Sequence, residues 1–274
     1  MKQLYAKEVL LQKLDVLLEK HQQRLHALDQ DISLSRVHAW RVATKKLRAY
    51  VDFLGGITWD RELFFALTRL IKKIKPLYTH TGEYRSRHLF LEDMSVFELL
   101  LQEHTPELTR HLRKQSKKHR KKARKLLNKF LKKESTWYKK LRKKLHLLLK
   151  RHPITNMTYQ WRVYQRTIMW EVAHVVHHVD DQIDNEMMHD IRKQIKKVMY
   201  VSAWLEATPN PYMPAYKSWS DELGYVNDAT DRLLYIEDYA QRHGLEIDRV
   251  CWYRDAHMYD KHQALDALRA FFQA

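Results

Sequence analysis

The chain has 274 residues, 45% of them hydrophobic, which is enough to bury the core of one large or two small domains. Five Gly and six Pro are too few for a fold with many turns, so we expect an all-α protein. The single Cys excludes an internal disulfide. The formal net charge of +17 favours a polyanionic partner.

Apolar periodicity, with Gly and Pro at the breaks, predicts the helices of the first half. They cover residues 2–29, 35–55 and 59–79, followed by a helix that continues to 103 and a basic helix from 106. We expect a left-handed cap at Gly55-Gly56 and a break near Pro76. Residues 81–87 are predicted as a turn, which would place Arg85 at a helix N-terminus, where backbone amides favour an anion.

The second of these helices carries one cationic and one apolar face. At about 100° per residue, one side holds His38, Arg41, Lys45 and Arg48, and the other holds Trp40, Ala43, Leu47 and Leu54. A related stretch recurs 151 residues later, where the residues that match His38, Arg41, Lys45 and Lys46 are His189, Arg192, Lys196 and Lys197.

The excess positive charge is concentrated in residues 110–151. This segment holds 20 of the 50 Lys and Arg but a single acid, Glu134. Its first helix has a stripe of cations opposite its apolar side, formed by Arg113, Lys117, Arg120, Lys121 and Arg124. A short helix at 135–150 is expected to connect two halves of the chain.

The second half repeats the layout of the first. Helices are predicted at 154–179, 185–206, 215–223 and 245–272, and a further helix is expected to begin at a turn formed by Gly224. We therefore expect one domain over 1–274, built from two four-helix halves at 1–133 and 153–274 and a basic connector at 134–152. If the halves pack about a pseudo-twofold axis, the two cationic faces would line one shared cleft. The second half has more acids and is expected to be more structural.

Lys and Arg together suit phosphate oxygens. The basic clusters contain no Gly-rich phosphate loop and no metal-binding acidic or HExxH motif, which favours binding without catalysis and without a cofactor. His174, His177 and His178 share a helix face, but the acids Asp180 and Asp181 lie off it, so we expect no metal site there.

Both motifs resemble the signatures of the conserved histidine α-helical domain (CHAD) family. The first comprises His38, Arg41, Lys45, Lys46 and Arg48, and the second comprises His189, Arg192, Lys193, Lys196, Lys197 and Tyr200. Gly224-x-x-Asn227-Asp228 and Gly82-x-x-Arg85 are similar to turns of that family. The resemblance implies two four-helix bundles around a basic central channel that binds inorganic polyphosphate, and an association with polyphosphate granules. The N-terminus lacks the apolar run of a signal peptide, so we expect a cytoplasmic location.

The leading hypothesis is therefore polyphosphate binding by both motifs and Arg85, with the stripe beginning at Arg113 as an extension. Sequence-independent nucleic-acid binding through 110–151 is the alternative, and it would need aromatic side chains such as Trp137 and Tyr138 beside the basic surface. A polyphosphate or triphosphate hydrolase is a third possibility that would require clustered acids. No stretch of 18 uncharged apolar residues occurs, so no membrane partner is expected.

Overall fold

The computed structural model describes residues 7–58, 60–101, 106–152, 157–178, 185–205, 211–243 and 248–273. Over these ranges the chain forms ten helices and no strand, which confirms the all-α prediction. The helices are α1 (Lys7–Gln30), α2 (Leu34–Thr58), α3 (Arg61–Lys72), α4 (Lys75–Leu101), α5 (Pro106–Leu131), α6 (Glu134–Arg151), α7 (Met157–His178), α8 (Asn185–Leu205), α9 (Met213–His243) and α10 (Asp248–Gln273).

The chain divides into two compact units, residues 1–164 and 165–274, and the boundary falls within α7. In the first unit α1 packs on α2, and α4 packs on α5. The helix α6, expected as a connector, packs on α1 and α3 of this unit. In the second unit α9 packs against both α8 and α10.

Leucines at helical spacing form the buried side of α1. Five of them are at most 1% exposed, namely Leu10, Leu14, Leu18, Leu25 and Leu28. Burial of each such side chain contributes about 1.5–3 kcal/mol to folding, so this stripe ties α1 to the core of the first unit. In the second unit, the buried side of α8 includes Met188, Ile191, Ile195, Val198 and Val201.

The predicted end of α2 at Gly55-Gly56 is wrong, because the helix continues through both glycines to Thr58. The absent side chain of Gly55 serves packing instead of a turn. A Cβ atom at this position would overlap the ring of Phe64 on α3, so glycine allows the two helices to approach closely.

The predicted break near Pro76 is present at 73–74, and Pro76 itself lies in the first turn of α4, where its missing N–H costs nothing. Two predicted turns in the later helices need correction. Residues 81–87 are inside α4, and Gly224 is inside α9, so neither forms a turn. Arg85 therefore does not lie at a helix N-terminus.

Candidate anion-binding site

The cationic face of α2 lies on the less buried side of the helix, as predicted. His38, Lys46 and Arg48 are exposed, whereas Arg41 and Lys45 are half-buried. On the opposite side Trp40, Leu47 and Leu54 are fully buried, and Ala43 is half-buried. The core side thus anchors the helix and leaves three of the five basic residues open to solvent.

Arg41 is attached to α4 by two contacts with Tyr78. Its Nη1 donates to the carbonyl oxygen of Tyr78, and its guanidinium carbon lies 3.9 Å from the centre of the Tyr78 ring. A Cβ atom on Gly82, one turn further along α4, would lie only 2.6 Å from Nη1. Glycine at position 82 therefore makes room for the guanidinium, and Arg41 links α2 to α4 as well as adding charge.

Arg192 repeats this arrangement in the second unit. Its Nε donates to the carbonyl oxygen of Ser220 over 3.1 Å, and a Cβ atom on Gly224 would lie 3.0 Å from its Cζ. Ser220 precedes Gly224 by four residues, as Tyr78 precedes Gly82. We call each of these an arginine–glycine contact; neither is apparent from sequence, because Gly82 and Gly224 look like turn residues.

Cationic groups gather where α2, α4 and α5 meet in the first unit. Burial lowers the pKa of the Arg41 guanidinium, and the nearby charge of Arg85 lowers it further, whereas Glu83 opposes the shift. Glu83 also forms an ion pair with Arg87 over 3.1 Å. Arg85 and Arg87 are both half-buried on α4, so the turn prediction misplaced them but the structure brings Arg85 near the first motif.

Two histidines extend this cluster to α5. The Nδ1 atoms of His80 and His119 are 3.2 Å apart, so one of them donates to the other. Burial lowers the pKa of His119, and the charges of His80, Arg87 and Lys122 lower it as well, whereas Glu83 raises it. An anion bound beside these groups would reverse the shift, because a negative charge favours the protonated imidazole.

The basic stripe on α5 contains exposed members with no ion-pair partner among the described residues and members that are paired. Arg113, Lys117 and Lys121 are exposed. In contrast, Arg120 pairs with Asp31 at 3.3 Å, and Arg124 pairs with Asp29 at 3.3 Å and donates to the Asp29 carbonyl oxygen. These pairs attach α5 to the end of α1. Arg113, Lys117 and Lys121 therefore carry the positive charge of the stripe that is least compensated.

The basic side of α8 contains an ion pair within its own helix. His189 and Lys193 are exposed, and Lys193 forms an ion pair with Asp190 over 2.7 Å. The other two lysines, Lys196 and Lys197, are half-buried, as is Arg192. This motif lies in the second unit and is thus held by α8 and α9, whereas the first motif and the α5 stripe belong to the first unit.

A buried histidine that sequence analysis overlooked joins α1, α2 and α6. His21 is 0% exposed, its Nε2 lies 3.0 Å from Thr44 Oγ1, and its Nδ1 lies 2.6 Å from the Tyr138 hydroxyl. Thr44 already donates its single proton to the Trp40 carbonyl oxygen, so Nε2 must be the protonated nitrogen and the tyrosine must donate to Nδ1. Burial accordingly lowers the pKa of His21 to about 4.

The aromatic residues of the basic segment 110–151 are used for packing. Trp137 is 4% exposed, and its Nε1 donates to the Leu70 carbonyl oxygen over 2.8 Å. Tyr138 is 7% exposed and bonded to His21. Neither ring is therefore available as a stacking platform for a nucleic-acid base, which the alternative hypothesis requires.

The histidines of α7 do not converge on a metal site in the described part of the chain, where no group of three His, Cys, Asp or Glu side chains could hold an ion. His178 bonds through Nδ1 to the His174 carbonyl oxygen, and the two rings stack at 4.1 Å. Asp180 and Asp181 lie outside the described residues. Among the described helices, none is long and apolar enough to cross a membrane.

The comparisons with known proteins agree with the motifs and the helical architecture. The family model of the CHAD domain matches residues 7–232. The chain belongs to the CHAD domain family. A crystal structure of the CHAD domain from the plant Ricinus communis matches with a TM-score of 0.69 and 20% sequence identity, covering 98% of this chain and 91% of that one. At this identity the match shows that the two proteins share the CHAD fold. A search of curated proteins found no match.

Proposed function

We propose that this CHAD domain binds inorganic polyphosphate without chemical turnover, with the first unit supplying the stronger surface. Polyphosphate is the ligand that membership of the family implies, and binding alone requires no acid, nucleophile or metal. The observation that carries the proposal is the gathering of cations around Arg41 and His119, where burial first and neighbouring positive charges second lower both pKa values.

Unfavourable interactions between like charges are relieved when an anion binds among them. Arg41 and Arg85 repel each other, and the same is true of His119, Arg87 and Lys122. Phosphate oxygens would accept hydrogen bonds from these groups and remove the repulsion. The exposed cations His38, Lys46 and Arg48 on α2 and Arg113, Lys117 and Lys121 on α5 would then contact successive phosphates.

The second motif is proposed to contribute less. Asp190 partly compensates Lys193, and α9 carries six acids against three Lys and Arg. The shared channel between the two motifs stays a prediction.

The test is a titration of the whole chain with long-chain polyphosphate and, separately, with single-stranded RNA of equal charge. Polyphosphate should bind more tightly, and its affinity should fall linearly with salt on a log–log scale, with a slope of roughly −4 for about five neutralised phosphates. Equal or tighter binding of RNA would favour the nucleic-acid alternative. Release of orthophosphate in the presence of magnesium would instead indicate a hydrolase.

A further inference from the structure

A cavity of about 400 Å³ in the first unit is surrounded by lysines and has no acid in its lining. It is formed by the C-terminal ends of α3 and α5 and the N-terminal ends of α4 and α6. Five exposed lysines surround its opening: Lys73, Lys129, Lys132, Lys133 and Lys140. None of them belongs to the motifs or to the stripe considered above.

None of these five lysines forms an ion pair with a carboxylate among the described residues, whereas Arg142 on the far side of α6 pairs with Asp15 at 2.9 Å. Glu134 follows Lys133 directly but is used elsewhere, since one of its oxygens pairs with His26 at 3.0 Å. Five ammonium groups around one opening repel each other, and an anion placed among them would remove this cost.

The floor of the cavity is apolar. It contains Leu70, Leu77 and Leu126, together with the half-buried ring of Phe130. Trp137 completes it, packed edge-to-face on Phe130 at 5.4 Å, and the indole N–H is already bonded to the Leu70 carbonyl oxygen. The floor therefore offers carbon surface to a ligand and has no free indole donor.

We propose that this cavity binds a small amphiphilic anion, namely an organic phosphate with an aromatic or aliphatic body. Its volume lies within the range of about 300–1,000 Å³ that is typical of small-molecule sites. The body would bury apolar surface on the leucine and phenylalanine floor, and the mobile lysine ammonium groups would adapt to the phosphate. Inorganic polyphosphate has no apolar part for this floor, so the site is separate from the proposed function and does not depend on it.

The amphiphilic character of the ligand is tested with 1-naphthyl phosphate and its two halves, inorganic phosphate and 1-naphthol, by isothermal titration calorimetry on the whole chain. The naphthyl phosphate should bind at least about tenfold more tightly than either half, because each half makes only one class of contact. Equal affinity for inorganic phosphate would overturn the proposal, as would absence of binding by the naphthyl phosphate.

The location is tested with two matched pairs of substitutions that remove the same charge. Lys129→Gln with Lys133→Gln should weaken naphthyl phosphate binding about tenfold, whereas Lys118→Gln with Lys125→Gln, exposed on α5 and outside the cavity lining, should leave it within about twofold. Equal losses in both pairs would show general attraction to a basic surface and would contradict a defined site. No loss in the first pair would place binding elsewhere and equally overturn the proposal.

Independence from polyphosphate is tested by filling the cavity. Leu126→Trp should abolish naphthyl phosphate binding, because the larger side chain would fill part of the cavity that Leu126 lines. Polyphosphate titration of the same variant should be unchanged. Parallel loss of both ligands would show that one surface serves both and would reject a separate site. In the unsubstituted chain, binding of naphthyl phosphate without binding of polyphosphate would reject only the proposed function.

Discussion

The arginine–glycine contacts of the two units have the same construction in different surroundings. In both, a motif arginine donates to the carbonyl oxygen four residues before a glycine that leaves room for it. The residue three positions after that glycine is Arg85 in the first unit and Asn227 in the second. The side-chain amide of Asn227 donates to the Leu223 carbonyl oxygen. The arginine–glycine contact is thus present in both units, whereas the positive charge beside it is present only in the first.

The difference in charge is larger in the helices that pack beside each contact. The basic helix α5 contains eleven Lys and Arg and one acid, while α10 contains four of each. The cores differ as well. With the 151-residue offset between the motifs, the polar His21 corresponds to Val172 and the polar Thr44 corresponds to Ile195, and both apolar residues are buried. A helical framework can therefore be kept while one copy acquires a basic surface and a polar core contact.

The largest expected effect separates the two units as binding surfaces. Lys117→Glu with Lys121→Glu on α5 should lower polyphosphate affinity about a hundredfold, because two charge-assisted contacts of about 1.5 kcal/mol each are lost. The matched pair Lys193→Glu with Lys197→Glu on α8 has the same spacing and charge change and should cost less than about tenfold. Titrations at one salt concentration measure both; a larger loss on α8 would reverse the proposed ranking.

The next largest effect concerns the polar core of the first unit. The pKa of His21 is lowered to about 4 in the folded protein against an ordinary 6.5, so the unfolded chain binds the additional proton between these values. Stability should fall by about 3 kcal/mol as pH drops from 6.5 to 4 through this residue alone.

The control for His21 transfers the core of the second unit into the first. His21→Val with Thr44→Ile and Tyr138→Phe removes all three polar partners and should unfold with a correspondingly weaker pH dependence over the same range. His21→Val alone should cost about 2–4 kcal/mol, because it leaves a cavity and an unpaired Tyr138 hydroxyl. Urea unfolding across pH measures each; an unchanged slope in the triple variant would show that carboxylates cause the pH dependence.

A smaller effect tests whether the arginine–glycine contacts are equivalent. Gly82→Ala should destabilise the protein by about 1 kcal/mol, since displacement of Arg41 outweighs the gain of about 1 kcal/mol in helix propensity. In an Arg41→Ala background the same change should stabilise by about 1 kcal/mol.

Gly224→Ala should likewise lower the free energy of unfolding in the unsubstituted chain and raise it in an Arg192→Ala background. Urea unfolding measures both pairs of substitutions. If Gly224→Ala stabilises the protein with Arg192 intact, the two contacts are not equivalent and the comparison fails in the second unit.

The smallest expected effect is a proton taken up by the first unit on binding. Phosphate near His119 should raise its lowered pKa, so affinity should increase a few-fold as pH falls through the range between the free and bound values. The imidazole resonances of His119 in NMR titrations with and without polyphosphate measure this. An unchanged pKa in the complex would place the ligand away from the α4–α5 contact.

Sequence analysis predicted the helices and their faces well where periodicity is regular. Trp40, Leu47 and Leu54 are buried as expected, because the spacing of a helix determines which residues share a side. It failed at Gly55, Gly82 and Gly224, which were interpreted as turn residues. Glycine serves equally for a turn and for close approach, and the partner that distinguishes the two lies far away in sequence.

The candidate site could be predicted only in part. The basic residues of the motifs and of α5 could be named from their spacing, but their assignment to a ligand stays a prediction. The pairing of Arg120 and Arg124 with α1 could not be foreseen, because it joins residues about 90 positions apart. His21 gave no sign of its role, since a single histidine in a leucine-rich helix has no distinctive pattern.

By itself the sequence determined the helical class, the repeated basic motif and the concentration of charge in 110–151, all of which depend on composition and on spacing within one helix. Only the tertiary structure decided that Arg41 and Arg192 are bonded to helix backbones, that α6 completes the first unit and that five lysines surround an apolar cavity. These features arise where separate helices meet, and such contacts depend on packing over long sequence distances.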